Sequence, residues 1–338
     1  MMRQRWGRTA AVALGVTLGL AAAPVGGVAM AAGTTDGPVD GVVDGVLDAP
    51  ADGGHDAPAR PSWTSKDAAA YWTPERMAAA IAHAPGRARP RTTPVPPAGA
   101  AARPPAKPQL APTARHFGGV PSVGVLFTVD SDAKTHHCTA SVVHSPQGNL
   151  ILTAGHCNPG TRAAFVPQYR SGATTQPYGI WAIGETFDYA DRGTTGDGAD
   201  LDFAFATVAP DARGRTVESV TGGNTLAATP GYTNKVTVIG YPSVRNDPQD
   251  RAVRCDTRTT RLTGTRQLRM ECGGFYGGTS GSPWLTHFDE RTRTGQIIGL
   301  IGGLNGGGPT GPHSDRTSYS PYFDAAIFDL YGRAIQES

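Results

Sequence analysis

The chain has 338 residues and a formal net charge of +2. That length allows one to three domains. A charge so near neutrality, with no dense Lys/Arg run in the C-terminal two thirds, removes the electrostatic case for a nucleic-acid partner.

The N-terminus reads as an export signal. "MMRQRWGR" is a positive n-region, "TAAVALGVTLGLAAA" an apolar h-region, and the small-x-small triplet at Ala29–Ala31 a cleavage site. Pro24 and nearby glycines interrupt the apolar run before it reaches a bilayer-spanning length of about 20 residues. The expectation is a signal peptide over 1–31, a secreted extracellular product and no membrane association after cleavage.

Residues 32–115 are rich in Pro, Ala and Arg and too poor in large apolar residues to form a core of their own. They read as a disordered or weakly structured pro-region or linker. One stretch stands out. In "WTPERMAAAIAHA" Thr73 is a candidate N-cap, Pro74 suits the first helical position, and Glu75 lies near the positive helix end. The reading is a short helix over 73–84 that docks on the domain that follows, because alone it is too short to be stable.

From about His116 short apolar runs alternate with Gly, Pro and Asp turns: "SVGVLFTV", "CTASVVHS", "GNLILTAG", "YGIWAIG", "DFAFATV", "KVTVIGYPS", "QLRMEC", "SPWLTHF" and "QIIGLIGG". These are strand-length and rich in β-branched and aromatic residues. Helical spacing appears only at the end, where Phe323, Ile327, Leu330 and Tyr331 fall on one face. The pattern is all-β, a barrel or sandwich with one C-terminal helix. Residues 116–338 suffice for two small barrels packed together.

The four cysteines are Cys138, Cys157, Cys255 and Cys272. An even count in an exported chain suggests two disulfides. Three connectivities are possible, and proximity in sequence favours Cys138–Cys157 with Cys255–Cys272. Zinc is the rival use. His136, His137, Cys138, His144, His156 and Cys157 lie close in sequence, but without the spacings of structural zinc sites. Neither a metal nor an organic cofactor is expected.

Three stretches carry chemistry. "LTAGHC" ends a strand on His156, "DLDFAF" sets Asp202 into an apolar strand, and "GGTSGSPW" places Ser280 between bending residues. A serine hydroxyl is a weak nucleophile at neutral pH. An imidazole within reach can take its proton, and a carboxylate can orient that imidazole. Asp200, Asp197 and Asp191 compete with Asp202 for the last role, and Ser282 lies two residues from Ser280.

In this order the motifs resemble those of chymotrypsin-like serine proteases over roughly residues 117–335. The resemblance is strongest to the secreted bacterial branch that includes the glutamyl endopeptidases, which carries Gly-x-Ser-Gly-Ser-Pro. It implies two packed six-stranded antiparallel β-barrels in a protease domain over 116–338. It implies a secreted serine endopeptidase in which Ser280 forms an acyl-enzyme, His156 is the general base and Asp202 the orienter. The Asp-Phe-Ala-Phe run matches the family's Asp-apolar-Ala-apolar pattern. The backbone N–H groups of Gly278 and Ser280 would form the oxyanion hole, and a Cys138–Cys157 disulfide would hold the strand beside the histidine. Protein or peptide substrates and a monomeric state are expected. A protease-fold binding module without activity is the alternative.

Two departures from the family matter. Thr279 stands where vertebrate trypsins carry an aspartate that pairs with a new N-terminal amine, so that activation switch is absent. The pocket floor falls at Gly274, which gives no counter-charge for Arg or Lys. The glutamyl endopeptidases' carboxylate-binding histidine has no equivalent at Ile301, although His313 lies not far along. Gly274, Ile301 and Gly302, narrowed by Phe275 and Tyr276, fit an apolar or small side chain.

Overall fold

The computed structural model describes residues 63–82, 111–130 and 134–337. The expected signal peptide and most of the Pro-rich region lie outside the described residues.

The described N-terminal piece is more structured than the sequence reading. Helix α1 (Ser65–Tyr71) starts from a reciprocal cap: Thr64 Oγ1 accepts the Asp67 N–H, and the Asp67 carboxylate accepts the Thr64 N–H. Helix α2 (Pro74–Ala79) has the expected N-cap, with Thr73 accepting the Arg76 N–H, and proline in its first turn. It stops at Ala79, short of the 73–84 expectation. Ala80 turns extended at ψ 133°, and strand β1 (Ile81–Ala82) joins a sheet in parallel. Pairing with a sheet edge has won over helix propensity at Ile81. Strand β2 (Arg115–His116) pairs with the second half of the molecule.

The first barrel consists of β3 (Val123–Val129), β4 (Thr135–Val143), β5 (Leu150–Thr153), β6 (Thr161–Pro167), β7 (Trp181–Phe187) and β8 (Ala204–Val208). All neighbours are antiparallel, in the order β4-β3-β6-β7-β8-β5, and β4–β5 pairing closes the barrel. Strands β3 and β5 are buried along their whole length. That explains why their sequences are continuous apolar runs rather than alternating ones. Gly124 has a packing reason to be glycine: a Cβ there would lie 2.2 Å from the Val166 carbonyl on β6.

Helix α3 (Val217–Thr221) and strand β9 (Thr225–Leu226) lead to the second sheet. It contains β10 (Lys235–Gly240), β11 (Val253–Arg261), β12 (Leu268–Glu271), β13 (Pro283–Asp289), β14 (Thr294–Leu300) and β15 (Thr317–Ser320). The order is β15-β12-β11-β10-β13-β14, again antiparallel. Its ends approach: the Leu300 N–H donates to Ser320 Oγ at 2.9 Å and the Gly302 N–H to the Tyr319 carbonyl at 3.1 Å. Trp284, Val238, Leu268 and Ile298 fill its interior.

Helix α4 (Ala325–Gln336) is capped by Asp324 and packs on β8 and β7. It buries Ile327, Leu330 and Ala334, while Phe205 and Tyr331 meet edge to face at 5.7 Å. Burying Ile327 and Leu330 stabilises the docking by about 1.5–3 kcal/mol each. The all-β architecture with a C-terminal helix is therefore the one adopted. Among the described residues no helix is long and apolar enough to cross a membrane.

Candidate active site

The site lies where the two barrels meet. Strand β5 pairs antiparallel with β8, so Thr153 at the end of one faces Ala204 at the start of the other. Residues just past the first and just before the second must therefore be neighbours. They are His156, on the 3₁₀ turn Gly155–Cys157, and Asp202.

Asp202 is completely buried, and three donors converge on it. His156 Nδ1 lies 2.8 Å from Oδ2, the His156 backbone N–H donates to Oδ1 at 2.7 Å, and the Gly303 N–H donates to Oδ2 at 2.6 Å. A buried carboxylate is costly unless it is paired and hydrogen-bonded, and this one is both. The close fit needs Gly155, where a Cβ would sit 3.1 Å from the Phe203 nitrogen and 3.2 Å from Asp202 Oδ1. The competing acids lie elsewhere. Asp200 accepts from Gln267 Nε2 at 2.9 Å, and Asp191 and Asp197 are exposed.

Ser280 lies on the loop between β12 and β13 of the second sheet, which packs against the end of β5. Its carbonyl accepts the Thr139 N–H at 2.8 Å, and the next N–H, of Gly281, donates to the Ile301 carbonyl at 2.7 Å. One bond ties the loop to β4, the other to the residue just past the end of β14. At Gly281, φ is +85° and a Cβ would meet the Thr139 carbonyl at 2.1 Å and Thr153 Oγ1 at 2.5 Å. Only glycine lets the serine loop press against the end of β5, which carries His156. Ser280 is half-buried, whereas Ser282 is buried and donates to the Thr279 carbonyl at 2.6 Å. Thr279 Oγ1 donates to the Tyr276 carbonyl, so the residue before Ser280 is neutral and locally satisfied.

The loop holds the Gly277–Gly278 peptide firmly. The Gly277 carbonyl accepts the Ser243 N–H at 2.9 Å and Asn246 Nδ2 at 3.1 Å. In a trans peptide the following N–H points the opposite way, so the Gly278 N–H is directed away from Ser243. Among the described residues neither the Gly278 nor the Ser280 N–H donates within the loop, whose other bonds run from Thr279 to Tyr276 and from Ser282 to Thr279. Sequence reasoning missed Asn246. It lies in a polar turn with no motif, and only the fold brings it to Gly277.

A cavity of about 300 Å³ opens beside Ser280. Phe275 and Ile301 supply apolar wall, Ser318, Thr317 and Asn305 supply polar groups, and no charged side chain lines it among the described residues. Of the three expected pocket residues, Ile301 lines it. Gly302 instead faces Asp202, where a Cβ would lie 3.2 Å from Oδ2. Gly274 is not among the lining residues, and its N–H is held by Asp315 at 3.2 Å. His313 is exposed and outside the cavity. A larger groove of about 560 Å³ is lined by residues of β10, β11 and β13 and includes none of these residues.

The cysteines are bonded as Cys138–Cys157 and Cys255–Cys272. The first pair joins β4, one residue before Thr139, to the residue after His156. No group of His, Cys, Asp and Glu able to hold a metal occurs among the described residues.

A closed six-stranded antiparallel barrel followed by a second antiparallel sheet and a C-terminal helix is the fold of the chymotrypsin-like serine proteases. Solved structures similar to it include the protease Anisep from Arthrobacter nicotinovorans, with 22% identity and a TM-score of 0.56 over 66% of this chain and 100% of that one. Another is the thermostable serine protease AL20 from an extremophilic microorganism, with 25% identity and a TM-score of 0.55 over 64% of this chain and 98% of that one. No family model matches the sequence, and no curated protein matches it.

Proposed function

We propose that the protein is a secreted serine endopeptidase. One observation carries the reading. Asp202 is buried against His156 Nδ1, and the loop presenting Ser280 is pinned against the strand end that carries His156. With Nδ1 committed to the carboxylate, His156 acts through Nε2. It takes the Ser280 proton as Oγ attacks a substrate carbonyl, then returns it to the leaving amine. Water hydrolyses the acyl-enzyme by the same route reversed. The Gly278 and Ser280 N–H groups stabilise the oxyanion, and the bonds on the Gly277 carbonyl hold the first of them in place. The neutral cavity favours an uncharged, small or apolar side chain on the acyl side. No cofactor takes part.

Residues 1–31 act as the export signal, and the connection between Arg87 and His116 is the place for proteolytic trimming. With Thr279 in place of an acid, activation needs no inserted N-terminal amine. Fluorophosphonate labelling of the purified protein tests the assignment. The label should map to Ser280, and Ser280→Ala should abolish both labelling and peptide cleavage, a loss of order 10⁶ in turnover. Labelling at Ser282, or unchanged cleavage in Ser280→Ala, would refute it. A folded but unreactive wild type would point to a binding module.

A further inference from the structure

Residues 63–82 lie upstream of the expected trimming region, yet they are built into the first barrel. Trp72 is fully buried on Phe127, ring centroids 5.2 Å apart, and its Nε1 donates to the Arg162 carbonyl at 2.8 Å. Trp63 Nε1 donates to the Ala163 carbonyl at 2.9 Å. Ser65 Oγ donates to the Ala209 carbonyl and accepts the Ala182 N–H, both at 3.2 Å. Ala68, Met77 and Ala80 belong to the same buried cluster as the barrel. Removing the segment would expose that cluster and strip partners from β6 and β7.

The segment also reaches the catalytic loop. Strand β1 pairs with β4 at His136 and His137, the two residues before Cys138. Ala82 then abuts Gly277, where a Cβ would lie 2.9 Å from Ala82 Cβ. No residue of 63–82 lines the cavity beside Ser280, so the segment supports the loop without plugging the cleft. The chain resumes on independent anchors: the Gly273 N–H donates to the Pro112 carbonyl at 2.9 Å, and Thr113 pairs with Gly273. Cutting between Ala82 and Ala111 would leave both ends held.

We propose that residues 63–82 are a permanent part of the working protease, remaining bound after the connecting region is cut and holding the Gly277–Ser280 loop in its active form. The claim about activity rests on the reading of Ser280 as nucleophile; the claim about retention does not. The test uses the full chain with a recognition sequence for an unrelated sequence-specific protease placed between Pro94 and Pro105. After cutting, the N-terminal fragment should co-elute with the protease domain in gel filtration, and turnover should stay within about twofold of the uncut protein. Ile81→Pro, which breaks the β1–β4 pairing and leaves the tryptophans in place, should lower kcat about tenfold with KM little changed. Trp72→Ala should release the fragment after cutting and lower Tm by about 10 °C. Should Trp72→Ala not fold, Trp72→Phe replaces it, with a smaller Tm loss. Release of the fragment from the wild type with turnover unchanged or raised would overturn the proposal, the latter marking an inhibitor. If the wild type is unreactive to fluorophosphonate, the functional reading has failed; co-elution and Tm still decide whether the segment is retained.

Discussion

Asp202→Asn is the sharpest perturbation of the site. The carboxylate accepts three hydrogen bonds at 2.6–2.8 Å, from two backbone N–H groups and one imidazole nitrogen, with no solvent exposure. A carboxamide has one accepting oxygen. With that oxygen toward the His156 N–H, its NH₂ faces the Gly303 N–H and forces the proton of His156 onto Nε2, where it blocks the base. Turned the other way it keeps the tautomer but opposes the His156 N–H. Both orientations leave one buried backbone donor unpaired, a loss of about 1–3 kcal/mol in stability. Both also remove the negative charge that stabilises the imidazolium formed during attack. Replacing an orienting carboxylate by its amide costs turnover about 10⁴-fold, or about 5 kcal/mol in the barrier. The assay is kcat/KM on a chromogenic peptide, with thermal melts confirming that the variant is folded. Asp200→Asn is the control and should keep its activity, because Asp200 bonds only Gln267 among the described residues. Turnover of folded Asp202→Asn within tenfold of wild type would refute the assignment, as would an equal loss in Asp200→Asn.

Asn246→Ala removes one of the two donors on the Gly277 carbonyl. It should lower kcat about 2–10-fold with KM little changed, as steady-state kinetics would reveal. Replacing Cys138 and Cys157 together by serine opens a link across 19 residues and should cost about 3 kcal/mol in denaturant unfolding. Because Cys157 follows His156, folded protein should also lose turnover, whereas serines at Cys255 and Cys272 should affect mainly stability. Burial pushes the His137 pKa down from 6.5 to about 4, against the opposing hydrogen bond to the Tyr241 carbonyl. The unfolded chain then binds a proton at pH values where the folded chain does not. The stability present above pH 6.5 is therefore lost as pH falls towards about 4, by about 3 kcal/mol in all. The unfolding free energy of wild type minus that of His137→Phe should fall by about 3 kcal/mol as pH drops across that range; parallel curves would rule this out.

The local chemistry of the protein is written in its sequence. The motif around Ser280 is short and rich in glycine, and the one at His156 has Gly155 beside it, because a loop that must bend sharply and admit a close neighbour has few residue types to choose from; Asp202 is marked instead by the apolar strand that follows it. The strand-length apolar runs and the spacing of Ile327 and Leu330 likewise follow from burial on one or both faces. The helix start at Thr73 was legible for the same reason, since a cap is a local hydrogen bond. What depended on distant parts of the chain was not legible. Helix α2 ends early because an edge of β4 is available to Ile81. Trp63 and Trp72 make the segment part of the barrel because β6 offers them carbonyls about 90–100 residues away. Gly302 turns towards Asp202 rather than the cavity, and Asn246 finds Gly277 across 31 residues. Local pattern encodes which conformations a stretch can adopt. Which partner a backbone group meets is a matter of closure over long loops, and only the folded barrels decide it.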